Sequence, residues 1–435
     1  MNFLIHQATL LPMTAEGDAP KSFLGSIAVE ENRIVLIATS EEEVATYLAA
    51  HPACRVIDGR GRLVMPGLIN THCHAAMSLQ RNRADDIALM AWLNDHIWPF
   101  EAKQTAEEIA TGMELGVVEM LLGGITSFVD MYFHEARCVE VVRRLGIRAL
   151  LGCSFFDHTL PIARADAEAA LKAAEGCSRV GIALAPHAPY PVSRERLIES
   201  KRLAEELNLP VMIHVAETEA EMTYVREHYD RTPVEFLDEI GLLDERTIAA
   251  HCVWVDAKDR ATLRERGVVV SHNAQSNMKL ASGTAPVAAM VAEGVHVTLA
   301  TDGPCSNNDL DLWEEMRSAA FLQKLSSGDP LELPAYEVLK MATVNGARAM
   351  GYTEGELGVL REGALADLIM IDLRKPHLQP INDPVADLVY CAKASDVELV
   401  VVDGEIVVEE RKVRGVELEK LYQRAAEAVN RITNA

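Results

Sequence analysis

The sequence predicts an α/β protein: a (β/α)8 barrel of the TIM type with a small β-sandwich domain built from both chain ends. Three observations carry that expectation. Between about residues 63 and 305, eight apolar strand-like runs alternate with longer segments of helical period. On either side, residues 1–62 and roughly 356–415 are rich in Val, Ile and Gly, with turn signals at Glu31-Asn32, Asp58-Gly59 and Asp403-Gly404. The 435-residue length accommodates a barrel of more than about 250 residues beside a second unit. The division expected is 1–62 for the first part of the β-domain and 63–355 for the barrel. Residues 356–435 then supply the second part of the β-domain and a terminal helix.

In chain order the runs are 63–69, 125–129, 147–151, 180–185, 210–213, 247–250, 268–271 and 296–300. Helix punctuation separates them. Thr105-Ala106-Glu107-Glu108 is a capping box, apolar periodicity follows, and Gly123-Gly124 stops it. Another helix begins near Asp256 and ends at Gly267, and residues 311–351 are helical by pattern and would complete the outer ring. Leu418, Leu421 and Ala425, set among charges, mark the terminal helix.

Composition removes several functions. A net charge of −24 argues against a nucleic-acid polymer or an anionic membrane as partner, since both demand basic patches. The first residues, Met1 to His6, lack a signal-peptide pattern, and no run approaches the ~18 apolar residues of a membrane span. A cytoplasmic protein is therefore expected. The eight cysteines contain no Cys-x-x-Cys pair, which fits reduced thiols and excludes the paired-cysteine zinc deaminases.

Four short stretches just after strand-like runs carry the chemistry: Thr71-His72-Cys73-His74, His214 in Ile213-His214-Val215-Ala216-Glu217, His251 in Ala250-His251-Cys252, and Asp302 in Thr301-Asp302-Gly303. A spacing of two puts His72 and His74 on one face of an extended strand. Such a pair is common by chance. It gains meaning because His214 and Asp302 also end strands, and barrel active sites lie at the C-terminal strand ends. His72, His74, His214 and Asp302 are thus expected to hold one metal ion and leave a position open for water. His251 is the candidate general acid/base, or the orienting partner of that water. Glu217, three residues beyond His214, is placed to carry a proton to the leaving group.

These motifs, with Pro66-Gly67-Leu68-Ile69-Asn70 ahead of the histidine pair, resemble the amidohydrolase superfamily over nearly the whole chain. The fourth run, Leu184-Ala185-Pro186-His187, carries no lysine to bridge two metals. The resemblance therefore implies the mononuclear branch, with one Zn2+ per subunit, Fe2+ or another divalent metal being the alternative.

Within that branch the chain resembles the 5'-methylthioadenosine/S-adenosylhomocysteine deaminases. Trp98-Pro99-Phe100-Glu101 matches the segment whose glutamate grips the ribose hydroxyls, and His187 matches a histidine that contacts the purine. Ser271-His272-Asn273-x-x-Ser276-Asn277-x-Lys279-Leu280 and Thr301-Asp302-Gly303-x-x-Ser306-Asn307-Asn308 match further segments around the site. Read alone, Glu101 fits equally a surface carboxylate and His187 a turn residue.

The resemblance implies hydrolytic deamination at C6 of an adenine nucleoside, with substrate bound by Glu101, His187, Glu217, Asp302 and Arg148, and a homo-oligomeric enzyme. Asp302 would take the water's proton and Glu217 would protonate the ring nitrogen. One departure stands out: five residues after Arg148 the family commonly has a second arginine for the carboxylate of S-adenosylhomocysteine, and this chain has Cys153. That substitution favours a small, uncharged 5' substituent, unless Arg164 reaches in from its loop. The same metal chemistry would serve a guanine deaminase or a triazine hydrolase, which have no ribose diol for Glu101, and a scaffold protein would have shed its metal ligands.

Overall fold

The computed structural model describes residues 2–14, 21–87 and 89–434. Among them eight parallel strands pair in chain order: Leu68–Cys73, Ile125–Tyr132, Arg148–Phe155, Val180–Pro186, Val211–Val215, Thr247–His251, Val269–His272 and His296–Leu299. Seven of the eight expected runs coincide with these strands. The first run divides in two. Arg62–Pro66 pairs antiparallel with Leu368–Asp372 in a different sheet, and the barrel begins only at Leu68. Gly67 is the corner: its N–H donates to Asp367 (3.1 Å) while that of Leu68 donates to Gly124 (3.0 Å). A Cβ at Gly67 would lie 2.1 Å from Thr126 Oγ1, so only glycine passes this close to the second strand.

The barrel closes by two unlike devices between its eighth and first strands. At the C-terminal rim, Asp302 N–H donates to the His72 carbonyl (3.0 Å) and the Thr71 hydroxyl to that of Leu299 (3.1 Å). At the other end the strands part around residues 342–346. There Ile69 N–H donates to Ala342 (2.9 Å) and the Asn345 side chain to Val297 (2.9 Å). Two of the predicted metal ligands thus seal the barrel where they work.

The helices follow their sequence signals. Ala106–Leu122 is opened by the reciprocal Thr105/Glu108 box and stops at Gly123. Ala257–Arg266 is capped by Asp256 and ended by Gly267 at φ +69°. The segment 311–351 resolves into Leu312–Ser327, Ala335–Met341 and Gly346–Ala349, because left-handed Gly328 and then Pro334 interrupt it. No helix among the described residues is long and apolar enough to cross a membrane.

Both chain ends meet in a mixed sheet of nine strands among the described residues, joined through Arg62–Pro66. Phe3–Leu10, Phe23–Glu30 and Arg33–Ala38 lie on one side of that strand; Leu368–Asp372, Val397–Val402, Glu405–Glu409 and Lys412–Val413 lie on the other. The terminal helix Leu418–Asn434 packs on Ala106–Leu122, where Arg424 meets the buried Glu114 (2.6 Å).

Arg148 does not join the site expected of it. It is the first residue of its strand, so seven residues of rise at ~3.3 Å separate it from the rim at Phe155, roughly 23 Å. Its guanidinium is 1% exposed. Nε and Nη2 donate to the two oxygens of Asp367 (both 2.9 Å), Nη2 also to Asp403 (3.2 Å), and Nη1 to the Tyr352 hydroxyl (2.6 Å). It ties the barrel's base to the terminal sheet. Arg148→Met should strand the Asp367 carboxylate in the interior and lower stability by about 3–5 kcal/mol in urea titration. Metal content of the folded fraction should be unchanged.

Candidate metal centre and active site

His72, His74, His214, His251 and Asp302 arrive at one point from four strand ends. Potential ligand atoms of His72, His74 and His214 lie within 4.8 Å of one another, as do those of His72, His251 and Asp302. Asp302 Oδ1 is 3.2 Å from His74 Nε2 and 3.5 Å from His72 Nε2. His214 Nε2 is 3.4 Å from His74 Nε2.

The far side of each ring shows what these nitrogens are for. His74 Nδ1 is 2.6 Å from the Met131 carbonyl and His214 Nδ1 is 2.6 Å from that of His187. A carbonyl only accepts, so both Nδ1 atoms carry a proton and both Nε2 atoms are turned into the shared space. His72 Nε2 is likewise buried without a hydrogen-bond partner. Three imidazole nitrogens and a carboxylate oxygen converging on one point are a donor set that fits a divalent metal.

The electrostatics agree. Burial pushes His72 down to about 4 and His214 well below the ordinary imidazole value, so both offer neutral nitrogens. For His74, burial opposes the charge, but Asp302 prevails and holds it up at about 9; a metal at the same point would take the proton's place. Burial also works against the Asp302 carboxylate, yet His72 and His74 hold it well below the usual range.

Asp302 is clamped from behind. Ser276 and Ser306 both donate to its Oδ2 (2.6 and 3.0 Å), leaving Oδ1 toward the histidines. Asn277 Oδ1 faces His251 Nδ1 at 2.9 Å, which aims His251 Nε2 into the site, 3.9 Å from Glu217 Oε2. Backbone strain accompanies this aim: Ala216, His251 and Asp302 all have positive φ (52°, 73° and 64°), costing ~1–3 kcal/mol each. Hydrogen bonds such as Val253 N–H to the Ala216 carbonyl (3.0 Å) keep them there.

One cavity is lined by His74, Glu101, His187, His214, Glu217, His251 and Asp302 together, so seven of the nine predicted site residues share it. His72 packs edge-on against His74 and His214 (ring centroids 4.8 and 5.0 Å). Glu217 is the carboxylate of its loop that faces the cavity. Glu221 accepts from the N–H groups of Ala216 (2.8 Å) and Glu217 (3.0 Å), and Glu219 is exposed. Burial raises the Glu217 carboxyl above its ordinary value, which suits a group that gains and returns a proton.

Glu101 ends the short helix Trp98–Glu101 and takes a hydrogen bond from the Tyr132 hydroxyl (2.7 Å). Burial lifts its carboxyl to about 7. The His187 ring stacks on Phe156 (centroids 4.9 Å, 26° apart), and burial pushes it down to about 3. Its Nδ1 has no hydrogen-bond partner.

Cys153 stands elsewhere. Neighbouring Ser154 lines the cavity, so strand alternation turns Cys153 outward, where its thiol faces Asp166 on the helix Leu160–Ala174. An arginine at position 153 would not reach substrate here. Arg164, on the same helix, is exposed and pairs with Glu168 (3.0 Å) and Glu206 (2.7 Å).

Tyr132 lay beyond sequence reasoning because its run was ended at residue 129, three residues before the strand stops. Ser276, Ser306 and Asn277 stood in matched motifs with no role attached. The serine clamp is testable: Ser276→Ala combined with Ser306→Ala should weaken metal retention about 10–100-fold, measured by competition with a chelator, with far-UV circular dichroism unchanged.

Residues 63–407 match the sequence profile of the amidohydrolase family. A 5'-deoxyadenosine deaminase from Methanothermobacter thermautotrophicus is 43% identical over 410 residues, 93% of each chain. A 5-methylthioadenosine/S-adenosylhomocysteine deaminase from Syntrophobacter fumaroxidans is 42% identical over 418 residues, 95% of this chain and 94% of that one. The crystal structure of an adenosine deaminase from Xanthomonas campestris with bound zinc superposes with a TM-score of 0.93 at 32% identity, covering 100% of this chain and 99% of that one. The converging ligand set, the barrel that carries it and these full-length likenesses have one explanation: the chain belongs to the amidohydrolase family.

Proposed function

We propose that the chain deaminates the adenine ring of adenosine-type nucleosides hydrolytically, converting substrate and water into the inosine analogue and ammonia. It is a metal-dependent hydrolase acting on carbon–nitrogen bonds of cyclic amidines. The substrates in view are 5'-deoxyadenosine, 5'-methylthioadenosine, S-adenosylhomocysteine and adenosine, the first three in keeping with the relatives' names. The observation that carries this reading is one cavity lined by metal donors, Glu217, His187 and Glu101 together.

Zinc is the metal assigned to His72, His74, His214 and Asp302, a donor set that suits it. When bound, it supplies the Lewis acidity that makes water a nucleophile at neutral pH. The protein's own groups do the rest. Asp302 takes the water's proton, and His251, aimed by Asn277, orients the attacking oxygen toward C6. Glu217 gives its proton to the ring nitrogen beside C6, so charge is neutralised as that carbon becomes tetrahedral. Asp302 then passes its proton to the amino group while Glu217 takes the proton of the new hydroxyl, so that the carbonyl forms and the amino group leaves as ammonia. His187 holds the purine by its free Nδ1, and Glu101 accepts the ribose hydroxyls.

Glu217→Gln should keep its metal but lose about 10²–10⁴-fold in kcat, read by ammonia release alongside metal analysis. A variant at near wild-type rate would remove Glu217 from proton transfer.

Glu101 gives a pH signature. With its carboxyl lifted to about 7, the charged, accepting form is complete above that pH and is lost below it. KM for 5'-deoxyadenosine should therefore rise as pH falls through 7, by roughly tenfold one unit below the pKa. A 2',3'-dideoxy substrate, lacking the diol, should show no such limb, and neither should Glu101→Gln.

A further inference from the structure

Next to the metal cavity, on the side of Glu101, lies a second space of about 570 Å3. Trp98, Glu101, Phe133 and Phe156 line both spaces, so the two adjoin. The chamber's remaining walls include Ile109 and Pro191. It is predominantly apolar, and among the described residues neither a lysine nor an arginine lines it or the metal cavity. The imidazoles of His134 and His158 are its basic groups. Neither Cys153 nor Arg164 lines it.

A nucleoside with its base at the metal and its diol on Glu101 has this chamber ahead of its 5' carbon. We propose that the chamber is the binding site of the 5' substituent and that it selects for uncharged, apolar groups, thioethers much larger than methylthio included. The inference rests on the deaminase reading and deepens it. An apolar substituent gains from leaving water in proportion to the surface it buries, about three- to fourfold in affinity per methylene. The amino-acid head of S-adenosylhomocysteine brings a carboxylate that needs a paired, hydrogen-bonded cation, and the walls offer two imidazoles but no ammonium or guanidinium group. The volume exceeds a methyl group many times over, so the limit on the substituent is its charge and not its size. The sequence had suggested an uncharged and small substituent by way of Cys153; the chamber keeps the first property, drops the second and places the selection on other residues.

The test is kcat/KM for ammonia release by the full-length, zinc-loaded enzyme with adenosine, 5'-deoxyadenosine, 5'-methylthioadenosine, 5'-butylthioadenosine and S-adenosylhomocysteine. The butylthio compound should equal or exceed the methylthio compound, and S-adenosylhomocysteine should fall at least about tenfold below it. His158→Arg should then raise the ratio of S-adenosylhomocysteine to methylthioadenosine at least tenfold by supplying the absent cation. S-adenosylhomocysteine turned over as well as methylthioadenosine would overturn the charge selection. A hundredfold drop from methylthio to butylthio would show that the chamber does not receive the substituent. Ammonia from none of the five would instead sink the deaminase reading, and the chamber's role with it. The wild-type series decides independently of whether the variant folds.

Discussion

Three imidazoles converging on one carboxylate, two of them aimed by backbone carbonyls, are the constraint around which this molecule is built. Met131 and His187 hold a proton on Nδ1 of His74 and His214, so it is the Nε2 atoms that are turned into the site. The rim also carries left-handed backbone at Ala216, His251 and Asp302. A site that waits for a cation must be held open by something that does not depend on it. Here that is the barrel seam, where the Asp302 N–H meets the His72 carbonyl, together with the serine pair behind Asp302.

The rest of the fold serves that rim at a distance. The terminal sheet anchors the barrel's other end through Arg148, which pairs with Asp367 and Asp403 in a buried cluster. Stability and chemistry are thus separated along the barrel axis, as expected when strand C-termini carry reactivity and N-termini carry packing.

Much of this was legible in the sequence because its signals are local. Apolar runs, the Thr105/Glu108 box and the glycine stops each act within a few residues, and the structure places strands and helices where they point. The predicted ligands stood out because they lie at or just past the C-terminal ends of barrel strands, His72 and His74 at the same one. What could not be read depends on facing and depth. Gly67 divides one apolar run between two sheets because of a contact with Thr126, 59 residues away. Arg148 and Cys153 were placed by likeness, but one is at the wrong end of its strand and the other on the wrong face. Tyr132, which positions Glu101, sits where a strand runs on past its most apolar part.

The central claim is that one metal ion, held by His72, His74, His214 and Asp302, is necessary and sufficient to switch on nucleoside deamination. Its most direct test is a titration of metal-free protein with zinc under 5'-deoxyadenosine turnover. Activity should be absent at the start, rise linearly and break sharply at one equivalent per chain. A break at two equivalents, or turnover by protein shown to be free of metal, would contradict the account.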